Sequence, residues 1–219
     1  MKHCYELEWR VAMAKQIEGV SERILVCAKQ EFLDKGYTEA SLRTIASAAD
    51  TSTNSIYVRF KDKEGLFSAI VEPVLKEMLQ RFVQIQKNFQ EMDSREQVDE
   101  LMDYSTKGMD ELIDYIYDHE QEFHLLLDAP YGTRFHRFID EMVQIEVEYT
   151  YKYMKTVGYP KMIGDAVTEM ALHMVTTSHF EGIFEVLRHN MSREEAKKYV
   201  KLLGRYHHTG FEAVFTPEE

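Results

Sequence analysis

The sequence predicts an all-α fold, with a small N-terminal three-helix head containing a helix-turn-helix and a larger C-terminal helical domain. Three observations carry this reading. Apolar residues recur at helical spacing along nearly the whole chain, with no sustained strand-type alternation, internal repeat or low-complexity tract. The 219 residues include only 10 glycines and 4 prolines, about half the usual share near 12%, so few turns are available. With 44% hydrophobic and 29% charged residues, the chain can bury one large core or two small ones. We expect an N-terminal extension over 1–19, the head over 20–70 and the larger domain over 71–219.

In the first helix Ile24, Leu25, Ala28, Phe32 and Leu33 form one apolar stripe. The stripe ends at Lys35-Gly36, a cation followed by the glycine expected just past a helix C-terminus. Cys27 takes a small-residue packing position. Ser41 is placed to cap a second, two-turn helix whose inner side is Leu42, Ile45, Ala46 and Ala49. Asp50-Thr51-Ser52 interrupts. A third helix from Thr53 to Phe60 turns Ile56, Tyr57 and Phe60 inward and leaves Thr53, Asn54, Ser55, Val58 and Arg59 for another face. Two short helices around a tight turn make a helix-turn-helix candidate. A fourth helix starts at the N-cap Asp62 and continues through Leu66, Phe67, Ile70 and Val71 to Pro73. The missing N–H and ring of Pro73 are expected to kink or break it there, giving a bent connection.

Further amphipathic helices are expected at about 74–90, 95–118, 121–128, 132–157, 162–189 and 193–214. Ser94 with Gln97, and Ser192 with Glu195, have capping-box spacing. Asp128-Ala129-Pro130 and Gly158-Tyr159-Pro160 are the clearest breaks.

A net charge of −12 argues against a general nucleic-acid binder, which carries a basic excess. The excess is regional, however. Up to Ile70 the acids and bases balance, whereas from Glu91 to Asp128 thirteen acids face only Arg95 and Lys107. Between Ser41 and Lys63, Arg43, Arg59, Lys61 and Lys63 outnumber Asp50 and Asp62, so a basic face is possible there; Lys61 itself reads as a solvated charge. Cys4 and Cys27 are too few and too far apart for a disulfide framework or a closed zinc site. With no long apolar segment and no signal-peptide pattern, the expected location is cytoplasmic, without a membrane partner.

The stretch SLRTIASAADTSTNSIYVRFKDKEGLF, from Ser41 to Phe67, resembles the DNA-binding signature of the TetR family of transcriptional regulators. Its anchors are Ile45-Ala46, Ala49, Ser52, Ile56-Tyr57, Phe60, Lys63 and Leu66, and the run from Arg23 to Gly36-Tyr37 matches the family's first helix. The family usually has Gly at the position of Asp50 and Val at Thr51. Asp tolerates a left-handed backbone and Thr has the shape of Val, so the turn is expected to form. The resemblance implies a third helix in the major groove, with the flanking helices on phosphates. Lys63, Arg43 and Arg59 are the expected phosphate cations, and Ser52, Thr53 and Tyr57 neutral donors to the backbone. Asn54 and Ser55 are the base-edge candidates, Asn54 having the geometry to pair with adenine.

The resemblance further implies a homodimer on an inverted-repeat operator in double-stranded DNA and a small-molecule effector, most simply for a repressor. The middle helices supply Met and aromatic residues suited to an adaptable pocket; the candidates are Tyr104, Met109, Tyr115, Phe123, Phe138, Met142, Tyr149, Met170 and His173. The last two helices carry apolar residues on more than one face, and Met174, Gly182, Val186, Val200, Leu203, His207 and Phe211 are the expected dimer contacts. His119 and His124 lie five apart, unlike a metal-binding helical pair, and Glu169 with His173 reads as a structural pair. No catalytic motif, metal or cofactor is expected. The competing classes are a helical enzyme with an aromatic cavity and an interaction adaptor that retains the head without binding DNA.

Overall fold

A computed structural model describes the backbone of residues 2–129, 133–158 and 166–215 and the side chains of residues 19–129, 133–158 and 168–214. The described residues form nine helices and no strand: α1 (Lys2–Glu39), α2 (Leu42–Ala48), α3 (Thr53–Phe60), α4 (Lys63–Gln90), α5 (Ser94–Asp118), α6 (Glu120–Leu127), α7 (Phe138–Val157), α8 (Ala166–Arg188) and α9 (Arg193–Phe215). No described helix is long and apolar enough to cross a membrane. The chain divides into two compact units, Met1–Val74 with Gln121–His136, and Leu75–Glu120 with Arg137–Glu219.

The first unit is built on the expected apolar stripes. Ile24, Ala28 and Phe32 from α1, Ile45 and Ala46 from α2, Ile56 from α3, and Leu66 and Phe67 from α4 are all buried. The ring of Phe32 meets Phe67 edge-on at 5.3 Å, and Tyr37 closes the group with 5.2 Å to Phe67. Gly36 interrupts α1 at the expected place, with φ 71°, ψ 164°, a backbone conformation open to glycine. The helical backbone reaches back to Lys2 through the expected extension.

Residues 121–136, assigned from sequence to the larger domain, cluster with the head. The physical reason lies in long-range pairs that local patterning cannot reveal. Phe135 packs on Phe67 at 5.9 Å, Lys29 donates to Glu122 at 3.0 Å, and Arg134 pairs with Glu72.

Three helix ends differ from expectation. Pro73 does not end a helix: α4 runs through it to Gln90. Pro73 is exposed between the buried Val71 and Leu75, so the carbonyl it deprives of a partner lies on the solvent side while packing holds the opposite face. The capping box of α5 sits one residue early, on Asp93 and Glu96; Gln97 is instead buried and donates to the Met92 carbonyl at 2.9 Å. Helix α7 begins at Phe138, after turns over 133–137. Ser192 and Glu195 do form their box, the Ser192 N–H and O–H both donating to Glu195. Pro130, Tyr159, Pro160 and residues 162–165 lie outside the described residues.

The second unit packs α5 against α9 and α7 against α8, with Leu112, Ile113, Met142, Phe180, Phe184 and Val186 among its buried side chains.

Candidate functional site

The helix-turn-helix is set by local hydrogen bonds. Ser41 Oγ accepts the Thr44 N–H at 3.4 Å to start α2, and Ser52 Oγ accepts the Ser55 N–H at 3.2 Å to start α3. Between them Asp50 takes φ 49°, the left-handed geometry the turn requires, and the Thr51 N–H returns to the Ala46 carbonyl at 2.9 Å. Helix α1 holds the pair from behind: Arg23 donates to the Ala49 carbonyl at 3.3 Å and Glu31 accepts the Ser41 N–H at 3.0 Å.

A second tight turn joins α3 to α4. Lys61 has φ 71°, ψ −53°, and the Asp62 N–H closes onto the Phe60 carbonyl at 2.9 Å. This is a γ-turn of the rare positive-φ kind, a strained conformation for a residue with a side chain. Asp62 caps α4 as expected, its carboxylate accepting the Gly65 N–H at 2.7 Å. Gly65 is required there, because a Cβ would stand 1.9 Å from the Phe60 carbonyl oxygen.

The outward face of α3 is Asn54, Tyr57 and Val58, continued by Lys61; all four are exposed. Tyr57, expected to turn inward, is 52% exposed, since Ile56 alone reaches the core at this turn. Ser52 is exposed and Thr53 half-buried. Two expected phosphate cations are engaged within the head. Arg59 folds back on its own helix, donating to the Ser55 hydroxyl at 2.6 Å and the Ser55 carbonyl at 3.1 Å, which also occupies the base-edge candidate Ser55. Lys63 donates to the Thr38 carbonyl at 2.8 Å and lies 5.1 Å from the Tyr37 ring centre. Burial lowers the Lys63 pKa, while Glu39 and Glu31 pull it upward. Arg43 and Lys61 are the exposed cations on this surface. Lys61, read from sequence as merely solvated, stands on the strained turn beside α3.

The second unit contains a cavity of about 210 Å³ lined by α4, α5, α7, α8 and α9. Phe89, Tyr104 and Tyr153 form an aromatic wall, Phe89 lying 5.3 Å and 5.9 Å from the other two rings. Three polar groups face this wall. Glu146 accepts a hydrogen bond from Gln86 at 2.6 Å, and its enclosure pushes the carboxyl pKa up to about 7, opposed by the Gln86 bond. His179 lies 4.3 Å from His207, ring centre to ring centre, and its Nδ1 has no partner. Burial, then the neighbouring His207, lowers its pKa to about 3, so the ring stays neutral.

Of the residues expected in a pocket, Tyr104, Met109 and Tyr149 line this cavity. The others do not. Tyr115, Phe138 and Met142 are packed in the core, and Phe123 is buried in the other unit; Met170 and His173 are exposed. Glu146 and His179 were missed, although Met142, Glu146, Tyr149 and Tyr153 follow a 4-3-4 spacing that places an acid on an otherwise apolar stripe.

The expected dimer contacts are also redistributed. Val200, His207 and Phe211 line the cavity, Val186 is fully buried, and Gly182 packs within the chain on Leu203. Met174 is exposed, in company with Met170 and Val175 on α8 and Leu202, Tyr206 and Val214 on α9. On α9 Leu202 and Tyr206 each stand one residue before an expected contact, Leu203 and His207, and so lie about 100° away around the helix.

Residues 24–70 match the model of the bacterial regulatory proteins of the tetR family. The chain is 36% identical over 67 residues to an uncharacterized HTH-type transcriptional regulator, YvdT, of Bacillus subtilis (strain 168); the match covers 31% of this chain and 34% of that protein. It thus spans about a third of the curated relative. Among solved structures, SmeT, the repressor of the Stenotrophomonas maltophilia multidrug efflux pump SmeDEF, aligns with TM-score 0.61 and 18% identity, covering 87% of this chain and 89% of SmeT. The SmeT–triclosan complex aligns with TM-score 0.56 and 17% identity, over 87% and 90% of the two chains. These structural likenesses establish the shared fold.

Proposed function

We propose that this chain, whose residues 24–70 match the model of the tetR family of bacterial regulatory proteins, is a cytoplasmic, ligand-responsive repressor binding an inverted-repeat operator as a homodimer. The observation that carries the reading is the exposed face of α3, which projects Asn54, Tyr57 and Val58 from a helix fixed at both ends by tight turns. On this reading α3 enters the major groove, with Asn54 on base edges and Ser52, Thr53, Tyr57, Arg43 and Lys61 toward phosphates. Arg59 keeps Ser55 oriented, and Lys63 fixes the start of α4 against the end of α1.

The exposed apolar residues of α8 and α9 favour self-association, since two packed helices with an unpartnered apolar face bury it against a copy of themselves. A two-fold dimer reads half-sites about 34–36 Å apart. The cavity supports an effector site, and SmeT in complex with triclosan is a related fold holding a compact aromatic molecule. Residues Phe82, Ile85, Gln86 and Phe89 of the cavity belong to the same helix, α4, that Asp62 caps in the head. An effector that favours one disposition of α4 thereby shifts operator affinity, provided it binds the two states differently.

Footprinting on DNA upstream of the protein's own gene, repeated across salt concentrations, tests the proposal. Protection of an inverted repeat with a steep salt dependence is expected; uniform weak binding without a protected repeat overturns it.

A further inference from the structure

Two acids, Asp110 on α5 and Glu146 on α7, line the second-unit cavity, and among the described residues Glu146 makes no ion pair. Among the described residues Glu146 has a single hydrogen-bond donor, the neutral Gln86 amide at 2.6 Å. No titratable group of α4 lines the cavity. Helix α5 brings Tyr104 and Asp110, α7 adds Tyr149 and Tyr153, and α8 adds His179. Helix α9 brings His207, His208 and Lys201; Lys201 is exposed, and His208 faces Glu212 at 3.4 Å. Neither enclosed imidazole supplies positive charge at neutral pH, because burial holds both His179 and His207 below the ordinary histidine value.

The cavity wall thus combines a carboxylate and the electron-rich faces of Phe89, Tyr104 and Tyr153. Each of these attracts a cation. An anion meets like charge at Glu146, and a metal ion finds no cluster of three His, Cys, Asp or Glu ligands among the described residues. A neutral apolar guest is accommodated with Glu146 protonated and so makes no use of its charge. The volume of about 210 Å³ lies below the usual range of about 300–1,000 Å³ for ligand pockets, which favours a compact guest.

We propose that this cavity takes a compact aromatic molecule bearing one basic nitrogen, seated with its ammonium group on the Glu146 carboxylate and its rings on the aromatic wall. The inference rests on the reading of the cavity as an effector site and specifies its ligand class.

Three probes with the same ring system and different charge test it: 1-naphthylmethylamine, 1-naphthylmethanol and 1-naphthoic acid, titrated calorimetrically into the full-length protein. The amine is expected to bind at least about tenfold more tightly than the alcohol, the scale of a charge-assisted hydrogen bond, and the acid more weakly than either. In Glu146→Gln the amine-to-alcohol ratio collapses toward one. The wild-type protein carries an independent measure: lowering the pH from about 8 to about 5.5 protonates Glu146 and erodes the amine preference while the alcohol's affinity stays level. Equal binding of amine and alcohol, preference for the acid, or an unchanged ratio in Glu146→Gln overturns the inference and leaves the effector site standing. Failure of all three probes to bind overturns both.

Discussion

The Lys63 ammonium lies 2.8 Å from the Thr38 carbonyl oxygen, joining the first turn of α4 to the end of α1 across 25 residues of sequence. Because α2 and α3 lie between these two points in the chain, the bond closes the helix-turn-helix into a loop. Lys63→Met keeps much of the aliphatic stem and removes the donor. We expect it to lower the stability of the head by about 1 kcal/mol, the scale of a partly exposed charged hydrogen bond, in urea melts. Operator affinity falls through loosened geometry, and the salt slope stays close to wild type.

Arg43 and Lys61 behave differently. Each alanine substitution is expected to weaken specific and random DNA alike, and to reduce the slope of log affinity against log salt by about 0.9 for each phosphate no longer neutralised. Filter binding at four or five salt concentrations separates this from the Lys63 outcome.

Gly65→Ala places a methyl group against the Phe60 carbonyl oxygen, 1.9 Å from an ideal Cβ. The γ-turn at Lys61 must open to admit it. The expected result is a folded chain with operator affinity reduced at least about tenfold, in line with the 1–3 kcal/mol typical of such local distortion, and faster proteolysis between α3 and α4.

Glu146 and His179 act on stability with opposite signs. The folded Glu146 pKa of about 7 lies above its ordinary 4.5, so folding binds a proton between those values and stability declines as pH rises through that window. The folded His179 pKa of about 3 lies below its ordinary 6.5, so its contribution is present above 6.5 and is lost as pH falls toward 3. Between about pH 4.5 and 6.5 the two largely cancel. Glu146→Gln removes one partner: relative to wild type it gains stability from about pH 4.5 to about pH 7 and then levels off, by up to about 3 kcal/mol, in denaturant titrations at fixed pH values. A difference independent of pH contradicts the assignment.

Leu202→Asp with Tyr206→Asp places two charges on the exposed outer stripe of α9. Sedimentation is expected to show a dimer for the wild type and monomers for this variant, with operator binding lost because one head alone spans half a site. Val186→Ala, at a fully buried position, lowers stability instead, by roughly 1–3 kcal/mol.

The head was legible in the sequence because its determinants are local. Ser41 and Asp62 sit within three residues of the N–H groups they cap, and the tolerance of Asp50 for a left-handed backbone follows from its side chain alone. The internal bonds of Lys63 and Arg59 were not legible, because they depend on partners that spacing does not reveal: Thr38 lies far upstream, and Ser55 competes one turn back. The cavity was less legible still. Composition gave the right kind of residue, but helix rotation decides that Tyr149 lines the cavity while Met142 packs in the core and Met170 lies outside. On α9 Val200, His207 and Phe211 line the cavity, and one step along the helix, from His207 to Tyr206, leads from the cavity to the exposed face.

The grouping of residues 121–136 with the head means that the chain passes between the two units three times, after Val74, after Glu120 and after His136. The head is therefore not a bead on a single string. A fragment ending near residue 74 would leave Phe67 without Phe135 and Lys29 without Glu122. Transplanting the head onto another chain at one splice point would carry over α3 and leave part of its foundation behind; a chimera that keeps the head's packing must exchange both segments together.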